Sequence, residues 1–141
     1  MRKIDTLEPA FKAKVEELIK QTEKATGRKW GISDGRRTMA HQKAIYAQGR
    51  TTPGKVVSNA PPGSSAHNYG LAVDLWPLTA DGKNFDWSAN KKLFKIMADI
   101  AVKLGLTAGF YFKSFLDLPH IEDPSWRRQR ELWRAGKLKV E

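Results

Sequence analysis

Apolar residues return at three- and four-residue intervals near the start of the chain: Leu7, Phe11, Val15, Leu18 and Ile19, with Lys and Glu filling the other face. This period predicts an amphipathic helix from about Glu8 to Thr26. Thr6 is its expected N-cap, Pro9 sits in the first turn, and Gly27 is its stop. Trp30–Ser33 reads as a short strand. A second helix is predicted from Met39 to Gln48, capped by Thr38 and ended by Gly49. Residues 50–66 are rich in Pro, Gly, Ser and Thr and read as a loop; a loop of that length inside a compact domain is often functional. Leu71–Leu75 reads as a buried strand, and Asp81-Gly82 as a turn. Leu93, Phe94, Ile96, Met97, Ile100, Ala101 and Leu104 predict a third helix from about Ala89 to Leu104, with Ser88 as cap and Gly105 as breaker. Residues 106–112 and 119–122 read as short strands. Asp123-Pro124 then opens a terminal helix over about 124–136. Helices and strands mix without regular βαβ alternation and without a repeat or linker. The expected class is therefore α+β, one domain over residues 1–141, with a small antiparallel sheet flanked by helices.

Composition narrows the chemistry. The 141 residues include no Cys, which excludes a disulfide framework, thiol catalysis and Cys-ligated zinc. The 40% hydrophobic content argues against disorder. No apolar run approaches the roughly 18 residues of a membrane span, and the first residues lack a secretory signal's apolar stretch. The formal charge of +10 points to an anionic partner, nucleic acid or an envelope polymer. That charge is uneven. Residues 1–55 carry +7 and residues 124–141 carry +4, while residues 56–123 carry −1 and hold two of the three histidines. The middle segment is where the chemistry is expected.

Within it, His67 precedes Gly70, and Asp74 lies on the strand that follows. A separation of seven would put the two side chains on opposite faces of one continuous strand, but Gly70 can break that register. A carboxylate inside an apolar strand requires a partner. Leu116-Asp117-Leu118-Pro119-His120 offers a further ligand. Two His and one carboxylate leave an open position on zinc, as in catalytic sites, where zinc lowers the pKa of coordinated water towards neutrality. Taken singly, these residues are ordinary: Asp117 is a turn or cap residue, Arg37 a surface charge and Ser65 a loop Ser.

Taken together they resemble a family. Ser65-x-His67-x-x-Gly70-x-Ala72-x-Asp74 followed by Asp117-x-x-His120 resembles the LAS-type zinc peptidases of peptidoglycan. That family includes D-Ala-D-Ala carboxypeptidases of the VanY kind and the L-alanyl-D-glutamate endopeptidases of phage endolysins. Asp34-Gly35-Arg36-Arg37-Thr38 with Gln42, together with Ala44–Thr51 and Pro53–Val57, is most similar to the endolysin branch. The likeness covers roughly residues 5–122, with a zinc-site core over about 30–122. It implies a hedgehog/DD-peptidase-like fold. It also implies a Zn2+ ion held by His67, Asp74 and His120, with Asp117 as general base and then acid. Arg37 would hold the substrate carbonyl, and Ser65 and Gln42 would bind substrate. Two departures stand out. Arg36 replaces the usual Tyr before the motif Arg, and Ala108-Gly109-Phe110-Tyr111-Phe112 replaces a W-G-G-D-W stretch.

The resemblance implies hydrolysis of the L-Ala–D-Glu bond of bacterial peptidoglycan by a monomeric, endolysin-like lytic enzyme. It would collect in the host cytoplasm and reach the wall after holin-type release. The alternatives are a D-Ala-D-Ala carboxypeptidase of the same fold and a catalytically silent, zinc-containing cell-wall binding module. For the basic terminal helix three readings compete. In the first, Trp126, Leu132 and Trp133 dock on the domain with the arginines in water. In the second, the helix meets anionic envelope polymers. The third, nucleic-acid binding, ranks last because no recognised module accompanies it.

Overall fold

Helix α1, Pro9–Thr26, forms where the apolar period placed it, and Phe11, Val15 and Leu18 have no exposed surface. In the computed structural model, which describes residues 2–141, Gly27 ends it in the left-handed conformation at φ 67°. The cap differs from expectation. Pro9 disfavours a helical Glu8, so Glu8 becomes the boundary residue, and its carboxylate accepts from the Ala10 and Phe11 N–H groups at 3.1 and 2.9 Å. Thr6 instead donates to the Lys3 carbonyl and closes a 3-10 turn over Lys3–Thr6.

Strand β1, Trp30–Asp34, leads to helix α2, Met39–Ala47, whose cap Thr38 accepts from the His41 N–H. The long loop follows, then a 3-10 turn over Ala66–Tyr69 and strand β2, Ala72–Pro77. Helix α3 runs Lys91–Lys103, shorter at its start than the pattern predicts. Asp86 explains the difference: it accepts from the Ser88 N–H and pairs with Arg28, holding residues 86–89 in a turn, so Asn90 becomes the cap. Strand β3, Thr107–Ala108, stops early because a 3-10 turn begins at Gly109. The Gly109 carbonyl accepts from the Asp117 N–H at 3.0 Å and the Phe112 N–H at 3.2 Å, which draws the backbone out of the strand path. Strand β4, His120–Glu122, precedes helix α4, Trp126–Arg134. Asp123 accepts from the Ser125 N–H, so Asp123–Ser125 forms a turn and the helix begins two residues later than Asp123-Pro124 suggested.

The four strands make one antiparallel sheet in the order β1-β2-β4-β3. Side chains alternate between its faces. Val73, Leu75 and Ile121 enter the core against Phe11 and Leu18 of α1 and Phe94 and Met97 of α3. The residues between them, Asp74 on β2 and His120 on β4, are register partners on the opposite face. The chain is thus one small α+β domain. Its apolar face anchors the strands whose other face carries the candidate site.

Gly109 is the tightest point beside that site. A Cβ there would lie 2.2 Å from the Asp117 carbonyl oxygen, a backbone atom that cannot rotate away. Gly109→Ala is expected to cost about 3 kcal/mol, and so to lower the thermal midpoint by roughly 10 °C. An unchanged midpoint in a melting experiment would contradict this packing.

Candidate metal centre and its groove

Three elements converge on one point. The 3-10 turn carries His67, whose backbone turn is closed by Ser65 Oγ accepting from the His67 N–H. Gly70, at φ 70°, reverses the chain into β2 and so breaks the face alternation that would have separated His67 from Asp74. His120 enters from β4, after the turn through Leu118-Pro119, with its N–H bonded to the Asp117 carbonyl at 3.1 Å. One ligand atom from each of His67, Asp74 and His120 lies within 4.8 Å of the others, and this is the only such group among the described residues.

The two imidazoles are fixed in tautomer by their outer partners. His67 Nδ1 lies 2.8 Å from the Gly35 carbonyl, which can only accept, so Nε2 is left to face Asp74 Oδ1 at 3.5 Å. His120 Nε2 lies 2.7 Å from the Glu122 carboxylate, so Nδ1 faces Asp74 Oδ1 at 3.4 Å. Asp74 Oδ1 is buried and has no hydrogen-bond partner. A buried oxygen of that kind, faced by one nitrogen of each imidazole, fits a cation. Burial opposes ionisation of Asp74, yet the facing His120 and His67 rings hold its pKa well below the usual carboxylate range. Burial likewise opposes a charge on His120, but Asp74 and Glu122 on either side raise its pKa to about 10. A dication at Asp74 reverses that balance and displaces the proton.

Asp117 borders the cluster, with Oδ2 3.9 Å from His120 Nδ1. Burial raises its pKa; the His120 charge opposes this and the Asp74 charge adds to it. Arg37 reaches the groove from the other side. Its guanidinium is held by the Asp34 carboxylate and by Gln42 Oε1 at 2.9 Å, and its backbone N–H bonds to the His67 carbonyl at 2.9 Å. Gln42 has no exposed surface, and its amide partners all lie within the protein. Its oxygen accepts from Arg37 and Asn68; its nitrogen donates to Ser58 Oγ at 3.1 Å and to the Ala60 carbonyl at 2.7 Å. It therefore meets the groove through Arg37 rather than by its own atoms.

The groove itself is about 710 Å³ and is lined by Arg37, Ser65, His67, Asp74, Asp117 and His120 among others. Val56, Val57 and Phe115 stand exposed on its rim. Of the two departures, Arg36 points away from the groove, bonding the Thr6 carbonyl at 2.8 Å and covering Gly70. In the 108–112 stretch Phe112 reaches the site, with its ring centroid 5.6 Å from that of His120. Sequence reasoning missed Asp34, Asn68, Glu122 and Trp126 as supports of the site. Glu122 carried a readable signal, since it lies two residues beyond His120 on a strand and shares its face.

Residues 5–118 match the VanY family, described as D-alanyl-D-alanine carboxypeptidase. The peptidoglycan L-alanyl-D-glutamate endopeptidase CwlK of Bacillus subtilis (strain 168) is 38% identical over 97 residues, 64% of this chain and 58% of that relative. The chain thus spans a little over half of that relative's length. Among solved structures, the L-Ala D-Glu endopeptidase ChiX of Serratia marcescens aligns with a TM-score of 0.61 at 18% identity, covering 90% of this chain and 86% of its own. A Zn(II)-bound variant of the D,D-pentapeptidase VanY from a VanB-type resistance cassette aligns at 0.58 and 14% identity, covering 92% and 79%. These structures share the fold. With the family pattern spanning residues 5–118, most of the chain, this protein belongs to the VanY family of peptidases.

Proposed function

We propose that this chain is a zinc-dependent peptidase that cuts the L-Ala–D-Glu bond of the peptidoglycan stem peptide, in the lytic manner of an endolysin. The observation that carries the reading is the His67–Asp74–His120 cluster on a groove floor, with Asp117 and Arg37 beside it. The choice of bond is supported by the name of the 38% identical relative.

His67 Nε2, Asp74 Oδ1 and His120 Nδ1 would hold the ion. Bound there, zinc supplies Lewis acidity and an acidified water. Asp117 takes the proton of the attacking water and passes it to the leaving amine. Arg37, held by Asp34 and Gln42, offers fixed donors to the carbonyl oxygen as charge builds on it. Ser65, on the groove wall, hydrogen-bonds the bound peptide. The outward Arg and Lys of α4 and the residues after it favour an anionic envelope surface. Among the described residues, no helix is long and apolar enough to cross a membrane.

A second reading, a D-Ala-D-Ala carboxypeptidase, is favoured by the family's own description. Digestion of purified peptidoglycan followed by mass spectrometry separates the two. New amino-terminal D-Glu is the expected product; released D-Ala would support the carboxypeptidase, and no soluble product from zinc-loaded protein would refute both.

A further inference from the structure

We propose that helix α4 is part of the metal centre: the Trp126 indole N–H fixes the Glu122 carboxylate, which holds His120 with Nδ1 turned to the metal position. The inference rests on the metal reading above and extends it to the chain's C-terminal helix.

The geometry is unambiguous in direction. Trp126 Nε1 lies 2.7 Å from Glu122 Oε2, and His120 Nε2 lies 2.7 Å from Glu122 Oε1. An indole N–H only donates and an ionised carboxylate only accepts. Glu122 therefore receives one bond on each oxygen, and His120 keeps its proton on Nε2. Nδ1 is left facing Asp74, where a bound metal would take its lone pair.

The Glu122 side chain is only 7% exposed, so water cannot readily replace the indole. The next cation, Arg127, stands 3.8 Å from Oε2. Trp126 is itself firmly placed. Its ring stacks on Tyr69 at 6.3 Å, and Arg127 and Arg130 lie 4.9 and 5.1 Å from its centroid. Tyr69 in turn donates to the Gly63 carbonyl at 2.6 Å. Without the indole bond, the buried carboxylate has lost the partner that stops it rotating, and His120 has lost its fixed orientation. Outer partners of this kind tune a metal site's affinity by 10–100-fold.

Trp133 supplies the control. It belongs to the same helix and packs on Gly63, but it has no contact with Glu122 among those the structure records. Zinc affinity would be measured by competition with a chromophoric chelator on the full chain, for the native protein, Trp126→Phe, Glu122→Gln and Trp133→Phe. Trp126→Phe and Glu122→Gln should each weaken zinc about 10- to 100-fold, and Trp133→Phe should leave it unchanged. Nitrogen NMR of the zinc-loaded chain should show His120 in a single Nε2–H form in the native protein and losing it in Trp126→Phe. Native zinc affinity in both Trp126→Phe and Glu122→Gln would overturn the proposal. So would an equal loss in Trp133→Phe, which would trace the effect to helix docking alone. A native chain that takes up no zinc would overturn the metal reading along with it, so the two failures are distinguishable.

Discussion

Asp117→Asn is expected to bind zinc as the native chain does and to lose turnover by about 10²- to 10⁴-fold, the range for removing a positioned acid–base group. Asn keeps the shape of the side chain and its bonding capacity but has no basic oxygen. The Asp117 carboxylate borders the groove 3.9 Å from His120, outside the three-residue cluster, so its loss leaves the ligand atoms in place. Burial already raises its pKa, which makes it a better proton acceptor than a solvent-exposed Asp. Zinc content and the rate of peptidoglycan digestion, measured on the same sample, test both halves. Cleavage at the native rate would show that Asp117 is not the base; loss of zinc would show that it acts on the metal instead.

Chelation is expected to bring digestion to background, and zinc to restore it. The reason lies in Asp74: its Oδ1 is buried, unpartnered and faced by two imidazoles of fixed tautomer. A dication there satisfies the Asp74 oxygen and both facing imidazole nitrogens at once, displacing the proton that His120 otherwise carries. Zinc at a thousandfold excess over its Kd would add about 4 kcal/mol of stability, which for a domain of this size raises the melting midpoint by roughly 10 °C or more. Full activity in chelator, or a midpoint that ignores zinc, would refute the metal assignment.

How far the sequence reaches is visible residue by residue. Helix α1 and the Thr38 cap of α2 were readable because both are local: a repeat of apolar positions, and one hydroxyl accepting three residues ahead. The Glu8 cap, though equally local, was not, because Thr is a preferred N-cap residue and Glu is not, so Thr6 stood out. The strand expected over residues 106–112 was cut short by a contact eight residues further on, between Gly109 and Asp117. For the site, the candidate ligands His67, Asp74 and His120 could be named from their types and from the resemblance. Their supports could not. Asp34 reads as a polar residue at a strand end until it meets Arg37, and Gln42 reads as a groove residue until its four partners are counted.

The sequence by itself determined the order and type of the main elements, though not every boundary, the uneven charge and the family resemblance, since periodicity, turn residues and motif spacing are properties of neighbours along the chain. It also pointed to the −1 middle segment, which holds His67, Asp74, Asp117 and His120, while Arg37 and Gln42 come from the basic flank before it. Only the tertiary structure decided which atoms meet. Antiparallel pairing of β2 with β4 sets Asp74 opposite His120, and Gly70 swings His67 onto the same face. The docking of α4 brings the Trp126 indole to Glu122. Each of these depends on register and packing across long separations, where a shift of one residue along a strand would turn every side chain to the other face.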